Sequence, residues 1–215
     1  MRNVDPNLDI PLEELTKSAQ EKRIEIFRTK PRTLLTQSKG HKLEELITSG
    51  AIDGLSDKQI LAELNEVADQ ILSDEISPVA VCRKGCGHCC RFPVHVTSVE
   101  AKVIANYADI KLNKLKRAAI IESGKIQDDY CPFFDKSESQ CSVYEVRPLT
   151  CKLHASLDHY DYCAGTDAHT HTSLQVTTPV NHGYGFLIQR LMVREKSGKG
   201  AYAADIRSWF ASAGS

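Results

Sequence analysis

The sequence predicts a mainly α-helical protein, in which a small cysteine-rich domain with a short β-hairpin is flanked by N- and C-terminal helices. Three observations indicate this fold. Apolar residues recur at helical spacing on both sides of the middle of the chain. All eight cysteines fall between Cys82 and Cys163, and two short aromatic or β-branched runs flank a polar turn in the middle of the chain. We therefore expect a helical region at 1–79, a cysteine domain at 80–165, and a polar loop with helices at 166–215.

Composition limits the classes of protein to which the chain can belong. Its 215 residues, 41% of them hydrophobic, can form a core without disulfides. The net charge of −1 gives no indication of nucleic acid or an anionic membrane as partner. The N-terminal sequence lacks the apolar segment of a signal peptide, and no apolar run approaches the ~18 residues of a membrane helix. We therefore expect a cytoplasmic protein, whose cysteines stay reduced and serve as metal ligands or catalytic thiols.

The N-terminal region predicts three helices. Pro11 can occupy the first turn of the first helix, which ends before Pro31. The second helix ends at Gly50. The third begins with a capping box formed by Ser56 and Gln59 and ends at the Ser-Pro step at 77–78. One-sided apolar stripes on such helices usually pack into a core, so this region is predicted to be a scaffold.

Short elements are predicted between the cysteines. Thr97 and Glu100 form a second capping box, and a further helix is expected around Leu112 and Leu115. The segment CPFFDKSESQCSVY predicts a hairpin with Cys131 and Cys141 near its two ends. After it, Pro148 can begin a short helix that carries Cys151 in its first turn.

The C-terminal region begins with a polar sequence at 166–185, which predicts a loop. An amphipathic helix is expected at 186–192 and a last short helix at 203–211. The loop contains His169, His171 and His182, which lack the i, i+4 spacing of a helical metal site, so we interpret them as loop residues.

The segment CRKGCGHCC places four cysteines within nine positions, 82–90. Thiolates two or three residues apart in a turn can bind one zinc or iron centre. Gly85 and Gly87 are expected to form that turn at positive φ, with their backbone amides directed at sulfur. Cys89 and Cys90 are expected to face opposite ways, as neighbours do in extended backbone. Two centres are then expected to meet at this step, or one centre and a reactive thiol.

The later cysteines extend the pattern. The full series is Cys82-x3-Cys86-x2-Cys89-Cys90, then Cys131-Pro132-Phe133, Cys141, Arg147-Pro148 before Cys151, and Cys163-Ala164-Gly165. Over roughly residues 80–165 this series resembles the YkgJ-type cysteine-cluster family, a zinc- or iron-chelating domain, and the bacterial flagellin lysine methylase carries a related cluster. The resemblance implies a metal or iron–sulfur centre. Its predicted ligands are Cys82, Cys86, Cys89, Cys90, Cys131, Cys141, Cys151 and Cys163.

The spacing leaves the metal open. Eight thiols can form two four-cysteine zinc sites, one four-iron cluster with spare thiols, or one site of each kind. An iron–sulfur cluster is favoured because it accepts irregular ligand sets with short gaps. Arg147 is predicted to offset the negative charge of the thiolates, with a surface ion pair to Glu145 or Asp135 as the alternative. Three histidines near the cysteines are interpreted as non-ligands: His88, His154 and His159.

Three functions remain open. The first is a metal-binding module that presents a surface to a protein partner. The second is a noncanonical S-adenosylmethionine-dependent enzyme acting on a protein substrate, as the resemblance to the lysine methylase implies. Cys82-x3-Cys86-x2-Cys89 has the spacing of radical enzymes, but the chain that follows is too short and too helical for their standard fold. The third is a metal-handling or redox-sensing protein, in which spare thiols such as Cys90 or Cys163 react.

Overall fold

The computed structural model describes residues 25, 34–78, 80, 82, 86–115, 129–156, 163, 171–173 and 203–210. For 34–40, 75 and 171–173 only the backbone is described. Within this part of the chain, helices predominate and the strands form small two-stranded sheets, which confirms the predicted fold class. Of the helix expected after Pro11 only Glu25 is described, and it is helical, whereas the helix expected at 186–192 lies outside the described residues. None of the described helices is long and apolar enough to cross a membrane.

Two long helices dominate the N-terminal part. Helix α1 spans Leu34–Thr48 and α2 spans Asp57–Ile71. Gly50 follows α1 with a φ of 74°, a left-handed conformation that glycine adopts without strain. A short 3-10 turn, Ala51–Gly54, then leads to α2. The predicted end of α1 at Gly50 is confirmed.

Both ends of α2 follow the prediction. Ser56 Oγ accepts a hydrogen bond from the backbone N–H of Gln59 at 3.4 Å, and Gln59 Oε1 accepts one from the backbone N–H of Ser56 at 2.9 Å. This reciprocal pair is the expected capping box. After Ile71 the helix continues as a π-helical turn, Leu72–Ile76, and the Ser-Pro step at 77–78 ends it.

The first of two apolar clusters joins these helices to the cysteine region. Ile60, Leu64 and Ile71 of α2 are almost fully buried, and each contributes about 1.5–3 kcal/mol by burial. They pack with α1 and with residues from the cysteine region, namely Ala80, Val99, Leu149 and Ala155. Helix α2 is therefore a scaffold on which the cysteine region packs.

The cysteine region consists of short elements. In chain order they are a 3-10 turn at His88–Arg91, β1 at His95–Thr97, α3 at Ser98–Ala108, β2 at Phe134–Asp135, β3 at Gln140–Cys141, a 3-10 turn at Tyr144–Val146, α4 at Leu149–Lys152 and β4 at His154–Ser156. Strands β2 and β3 pair antiparallel and confirm the predicted hairpin. Helix α4 confirms the short helix expected at Pro148.

The helix expected around Leu112 and Leu115 is wrong for the residues that the structure describes. Residues 110–115 have no regular structure. Asp109 has a left-handed φ of 52° that ends α3, and the chain then runs along the C-terminal segment, where the backbone N–H of Asn113 donates to the Trp209 carbonyl at 3.0 Å. Contact with a distant segment replaces the helical hydrogen bonds that local spacing had indicated.

Two C-terminal segments form strands where the sequence indicated a loop or a helix. Strand β5, His171–Ser173, pairs antiparallel with β4. Strand β6, Ala203–Asp205, pairs antiparallel with β1, and α5, Ile206–Trp209, follows it. The helix expected at 203–211 is therefore correct only for residues 206–209. Since each strand needs a partner far away in sequence, neither shows a clear local pattern.

The second apolar cluster lies under the later cysteines. It contains buried residues of β1, α3, the hairpin and the C-terminal segment, including Val96, Ile104, Phe133, Val143, Ile206 and Trp209. Cys131, Cys141 and Cys151 pack against it. Trp209 is held in place by a 2.9 Å hydrogen bond from its Nε1 to the Val96 carbonyl. The C-terminal segment thus forms part of the apolar cluster against which these three cysteines pack.

Candidate metal centre

The structure brings the eight predicted cysteines into one region. All eight lie among the described residues, and none of them forms a disulfide. They come from four parts of the chain: residues 82–90, the hairpin, α4 and the single position 163. Each thiol is close enough to at least one other for their charges to interact. Residues spread over positions 82–163 thus share one neighbourhood, and their role as ligands remains a prediction.

The Cys89–Cys90 step lies in the 3-10 turn rather than in extended backbone. The backbone N–H of Cys90 donates to the Gly87 carbonyl at 3.0 Å. Successive side chains in such a turn are separated by about 120° of rotation, so neighbours can touch. The two thiols are hydrogen-bonded to each other. The expectation that they face opposite ways is therefore wrong.

Gly87 is needed for a reason other than the one expected. Its φ is −111°, so the positive φ predicted for it is wrong, and Gly85 lies outside the described residues. A Cβ atom at Gly87 would overlap the ring of Phe134. That ring stacks on Tyr130, with 4.7 Å between the centroids. Glycine therefore allows the hairpin to approach the turn closely.

The hairpin holds two cysteines beside the Cys89–Cys90 step. Cys141 lies opposite Phe134 in the β2–β3 register. The backbone N–H of Cys131 donates to the Cys90 carbonyl at 2.7 Å, and the Cys131 carbonyl accepts from the N–H of Phe134 at 2.9 Å. Backbone hydrogen bonds thus connect the first cysteine of the hairpin directly to the turn.

A buried carboxylate positions α4, which carries Cys151. Glu100 Oε1 accepts from the backbone N–H of Leu149 at 3.0 Å. Its Oε2 accepts from the backbone N–H of Thr97 at 2.9 Å and from the Thr97 hydroxyl at 2.8 Å. Burial raises the pKa of Glu100 above its ordinary value of 4.5. The predicted capping residue therefore also connects α3 to the cysteine-bearing helix.

Ser156 connects two cysteines that are far apart in sequence. Its backbone N–H donates to Cys82 Sγ at 3.3 Å, and its side chain hydrogen-bonds to Cys163. Cys163 is buried. Ser156 belongs to β4, whose pairing with β5 was not expected. No pattern in the sequence distinguishes this serine from others.

Arg147 lies among four thiols and lowers the pKa of each by its charge: Cys82, Cys89, Cys141 and Cys151. Its guanidinium is 4.0 Å from the ring centroid of Tyr144. Within the described part of the chain, no ion pair joins Arg147 to Asp135 or Glu145. This placement supports the predicted charge-offsetting role.

Arg207 is a site residue that sequence reasoning missed. Its Nη2 donates to the Cys90 carbonyl at 2.8 Å and to the Asp129 carbonyl at 3.0 Å, and its Nη1 donates to the Phe92 carbonyl at 3.3 Å. The carboxylate of Asp205, which is fully buried, lies 3.5 Å from Nη1. A charged pair within the apolar segment AYAADIRSWF was the only sequence signal for this role.

Most of the thiols resist ionisation. Desolvation raises the pKa of Cys82 and of Cys131 to about 11 and that of Cys163 to about 12. It also raises the pKa of Cys141 and Cys151. Negative charge on neighbouring thiols adds to most of these increases. Because each thiolate makes the next one harder to form, a bound cation would stabilise the whole group.

The Cys89–Cys90 pair is the exception. A hydrogen bond from the Cys90 thiol lowers the pKa of Cys89, and the same bond raises the pKa of Cys90. Cys89 is exposed to solvent. The exposed member of the pair is therefore the one that ionises more readily.

The donor set fits a thiolate metal centre, but the sulfur positions are not those of a closed site. Thiolates are the ligands that zinc and iron–sulfur clusters prefer. Among the described residues, which include all eight cysteines, no group of three or more His, Cys, Asp or Glu side chains is placed to hold a metal ion. Binding would require thiol side chains to rotate toward a common point.

The histidines near the cysteines show no ligand arrangement within the described residues. His88 is half-buried in the 3-10 turn. The ring centroid of His154 lies 6.4 Å from that of Phe92. The backbone of His171 pairs with Ser156. The remaining candidates, His159, His169 and His182, lie outside the described residues.

A cleft of about 210 Å³ is lined in part by Arg147. Residues of α2, α3 and α4 line it, together with the Tyr144–Val146 turn and Arg147. Lys152, which is buried, donates to Asp69 Oδ1 across this cleft at 2.7 Å. This ion pair connects α4 to α2 and so stabilises the position of Cys151.

Comparison with known proteins identifies the cysteine region. A family model described as CxxCxxCC, "Putative zinc- or iron-chelating domain", matches residues 81–173. An uncharacterized protein of Methanocaldococcus jannaschii is 38% identical over 74 residues, which cover 32% of this chain and 40% of that protein. The chain thus matches less than half of that relative's length. No solved structure is significantly similar to the chain. Residues 81–173 are therefore similar to the CxxCxxCC cysteine domains.

Proposed function

We propose that the protein is a metal-binding module in which the eight cysteines hold zinc or iron, with an iron–sulfur cluster as the favoured form. The observation that carries this proposal is the convergence of eight reduced thiols from four separate segments. Apolar packing does not require eight cysteines here, because other small apolar residues could fill the same space. Arg147 and Arg207 beside the thiols would offset the negative charge of the bound form.

The thiols would hold the metal as thiolates, and the metal would neutralise their charge and cross-link the segments that carry them. The chain's own residues supply the rest. Glu100 positions α4, Ser156 positions Cys82 and Cys163, and Arg207 holds the Cys89–Cys90 step.

A second candidate function is metal handling or redox sensing. The lowered pKa and the exposure of Cys89 favour it, because the thiolate is the nucleophilic form of cysteine. Cys90 donates a hydrogen bond to it. A peroxide would oxidise the Cys89 thiolate to a sulfenic acid, and the Cys90 thiol would then displace water from it to form a disulfide.

Anaerobic purification, followed by a visible absorption spectrum and by metal and sulfide analysis, tests the proposal. A brown protein with iron and sulfide is the expected result. A colourless protein with stoichiometric zinc would contradict the preference for iron but keep the metal-binding function. Protein that binds neither zinc nor iron with sulfide after anaerobic reconstitution would overturn the proposal.

The same preparation separates the other candidates. An iron-loaded protein that neither binds nor cleaves S-adenosylmethionine would exclude the protein-modifying enzyme. Transfer of metal to a competing chelator, while the circular dichroism spectrum stays native-like, would support metal handling. Release that occurs only on unfolding would instead indicate a structural centre.

A further inference from the structure

We propose that the eight thiols form two separate four-thiol metal centres that meet at the Cys89–Cys90 step. This inference rests on the proposed function and adds which thiols share a centre. The first centre contains Cys82, Cys86, Cys89 and Cys163. The second contains Cys90, Cys131, Cys141 and Cys151.

Ser156 defines the first centre. Its backbone N–H contacts Cys82 Sγ at 3.3 Å and its side chain contacts Cys163, so one residue lies beside both sulfurs. Cys86 interacts electrostatically with Cys82 and Cys163. These three thiols therefore form one neighbourhood on the β4 side of the turn.

The hairpin and α4 define the second centre. The 2.7 Å hydrogen bond from Cys131 to the Cys90 carbonyl places the turn against the hairpin. The hairpin register brings Cys141 to the same end as Cys131. Cys131, Cys141 and Cys151 all pack against the second apolar cluster. Cys90 interacts with Cys131 and Cys151, which completes a group of four.

Counting assigns the remaining thiol. Cys89 interacts with members of both groups. A tetrahedral thiolate centre takes four sulfurs, and the second group already has four with Cys90. The first group has three thiols, so Cys89 is its fourth. Adjacent residues then serve different centres although their side chains touch.

The positive charges agree with this division. A divalent ion held by four thiolates carries a net charge of about −2, so two neighbouring centres repel each other. Arg147 acts on thiols of both groups, Cys82 and Cys89 in the first and Cys141 and Cys151 in the second. Its guanidinium lies where it reduces that repulsion. Arg207 acts on Cys131 of the second group.

Cobalt titration of the full chain under reducing, anaerobic conditions tests the division. Co²⁺ replaces zinc in thiolate sites, and its absorption bands report four-sulfur coordination. We expect about two Co²⁺ ions per wild-type chain. Cys163→Ser and Cys141→Ser are each expected to lower this to about one ion with intact four-sulfur bands, and the double variant is expected to retain no such bands. Ser137→Ala, in the exposed hairpin turn, is the matched control and should bind as wild type.

The outcomes distinguish the two levels of the inference. One ion per wild-type chain, with both single variants abolishing it, would overturn the division into two centres but leave a metal-binding protein. A wild-type chain that binds no Co²⁺ and no zinc would overturn the proposed function itself. Circular dichroism of the metal-free variants checks folding. If a variant fails to fold, Cys86→Ser replaces Cys163→Ser, and Cys131→Ser replaces Cys141→Ser.

Discussion

Arg207 donates a 2.8 Å hydrogen bond from Nη2 to the carbonyl oxygen of Cys90, a residue 117 positions earlier in the chain. Arg207 lies outside the residues matched by the CxxCxxCC family model. Strand β6, which lies just before Arg207 in the chain, pairs with β1. Trp209, just after it, donates a hydrogen bond to the Val96 carbonyl. The C-terminal segment is therefore part of the structure that supports the cysteines.

Replacing Arg207 with lysine should weaken this support. An ammonium group cannot span the three carbonyls that the guanidinium reaches, although the charge is retained. Since hydrogen bonds to charged groups contribute roughly 1.5–3 kcal/mol, we expect the metal-free variant to lose about 2–3 kcal/mol in its free energy of unfolding. Urea unfolding measures this loss. Lys102→Ala on the exposed side of α3 is the control. Equal unfolding midpoints for R207K and wild type would contradict a supporting role for the three hydrogen bonds of Arg207.

A methyl group at Gly87 should separate the turn from the hairpin. The added Cβ overlaps the Phe134 ring, and overpacking of this kind costs about 1–3 kcal/mol. We expect Gly87→Ala to lower both the stability of the metal-free protein and its affinity for Co²⁺. Gly54→Ala is a matched control, because a Cβ there meets no atom within 4 Å.

A double variant tests whether the overlap with Phe134 causes the effect of Gly87→Ala. Combining Gly87→Ala with Phe134→Leu removes part of the ring and should restore some of the lost Co²⁺ affinity. If the double variant is weaker than Gly87→Ala by the full effect of Phe134→Leu alone, the two residues do not interact and the steric explanation fails.

Glu100→Gln should destabilise α4. Only one amide oxygen can accept hydrogen bonds, so either Leu149 or Thr97 loses its acceptor, at a cost of about 1–3 kcal/mol at neutral pH. Urea unfolding of the metal-free variant measures it. Glu138→Gln in the exposed hairpin turn is the control, and an unchanged stability in E100Q would contradict a positioning role for Glu100.

The pH dependence of stability gives an independent readout for Glu100. Burial holds its folded-state pKa above 4.5, so its proton-linked contribution to stability is full below about pH 4.5 and is lost as the pH rises through the folded-state pKa. In Glu100→Gln this decrease should be absent. The difference in unfolding free energy between the variant and wild type should therefore change between pH 4 and pH 7, and two parallel curves would exclude the effect.

Metal binding should release protons. At pH 7 the thiols of Cys82, Cys131 and Cys163 are protonated, because desolvation holds their pKa at about 11 to 12. Each must lose its proton to bind, so the apparent affinity for Co²⁺ should rise by roughly tenfold per pH unit for each proton displaced. Calorimetric titration in two buffers with different ionisation enthalpies counts the protons. An affinity that is constant between pH 6 and pH 8 would show that these thiols are not ligands.

Features that depend on a few neighbouring residues could be predicted. The capping boxes at Ser56 and Thr97 and the end of α1 at Gly50 follow from hydrogen bonds within about four residues and from the conformational freedom of glycine. The hairpin followed from its polar turn. The spacing of the cysteines indicated a CxxCxxCC domain, since ligands in one turn must be close in sequence as well as in space.

Features that depend on distant partners could not be predicted. Residues 110–115 contact the C-terminal segment instead of forming the expected helix. Residues 171–173 and 203–205 form strands by pairing with β4 and β1. The sequence indicated a positive φ as the reason for glycine at position 87. The actual reason, contact with the Phe134 ring, involves a residue 47 positions away and has no local signal. Local propensity is weak compared with burial and with hydrogen bonds to a partner strand.

The number and order of the thiols could be inferred from residue types and spacing, because these depend on the covalent chain. The tertiary structure decided which side chains surround them. Arg207, Ser156 and Glu100 contact the cysteine-bearing segments only because the tertiary structure brings these distant segments together. Hydrogen bonds and charge interactions act over a few ångströms, so residues more than a hundred positions apart affect a thiol only when packing brings them into contact.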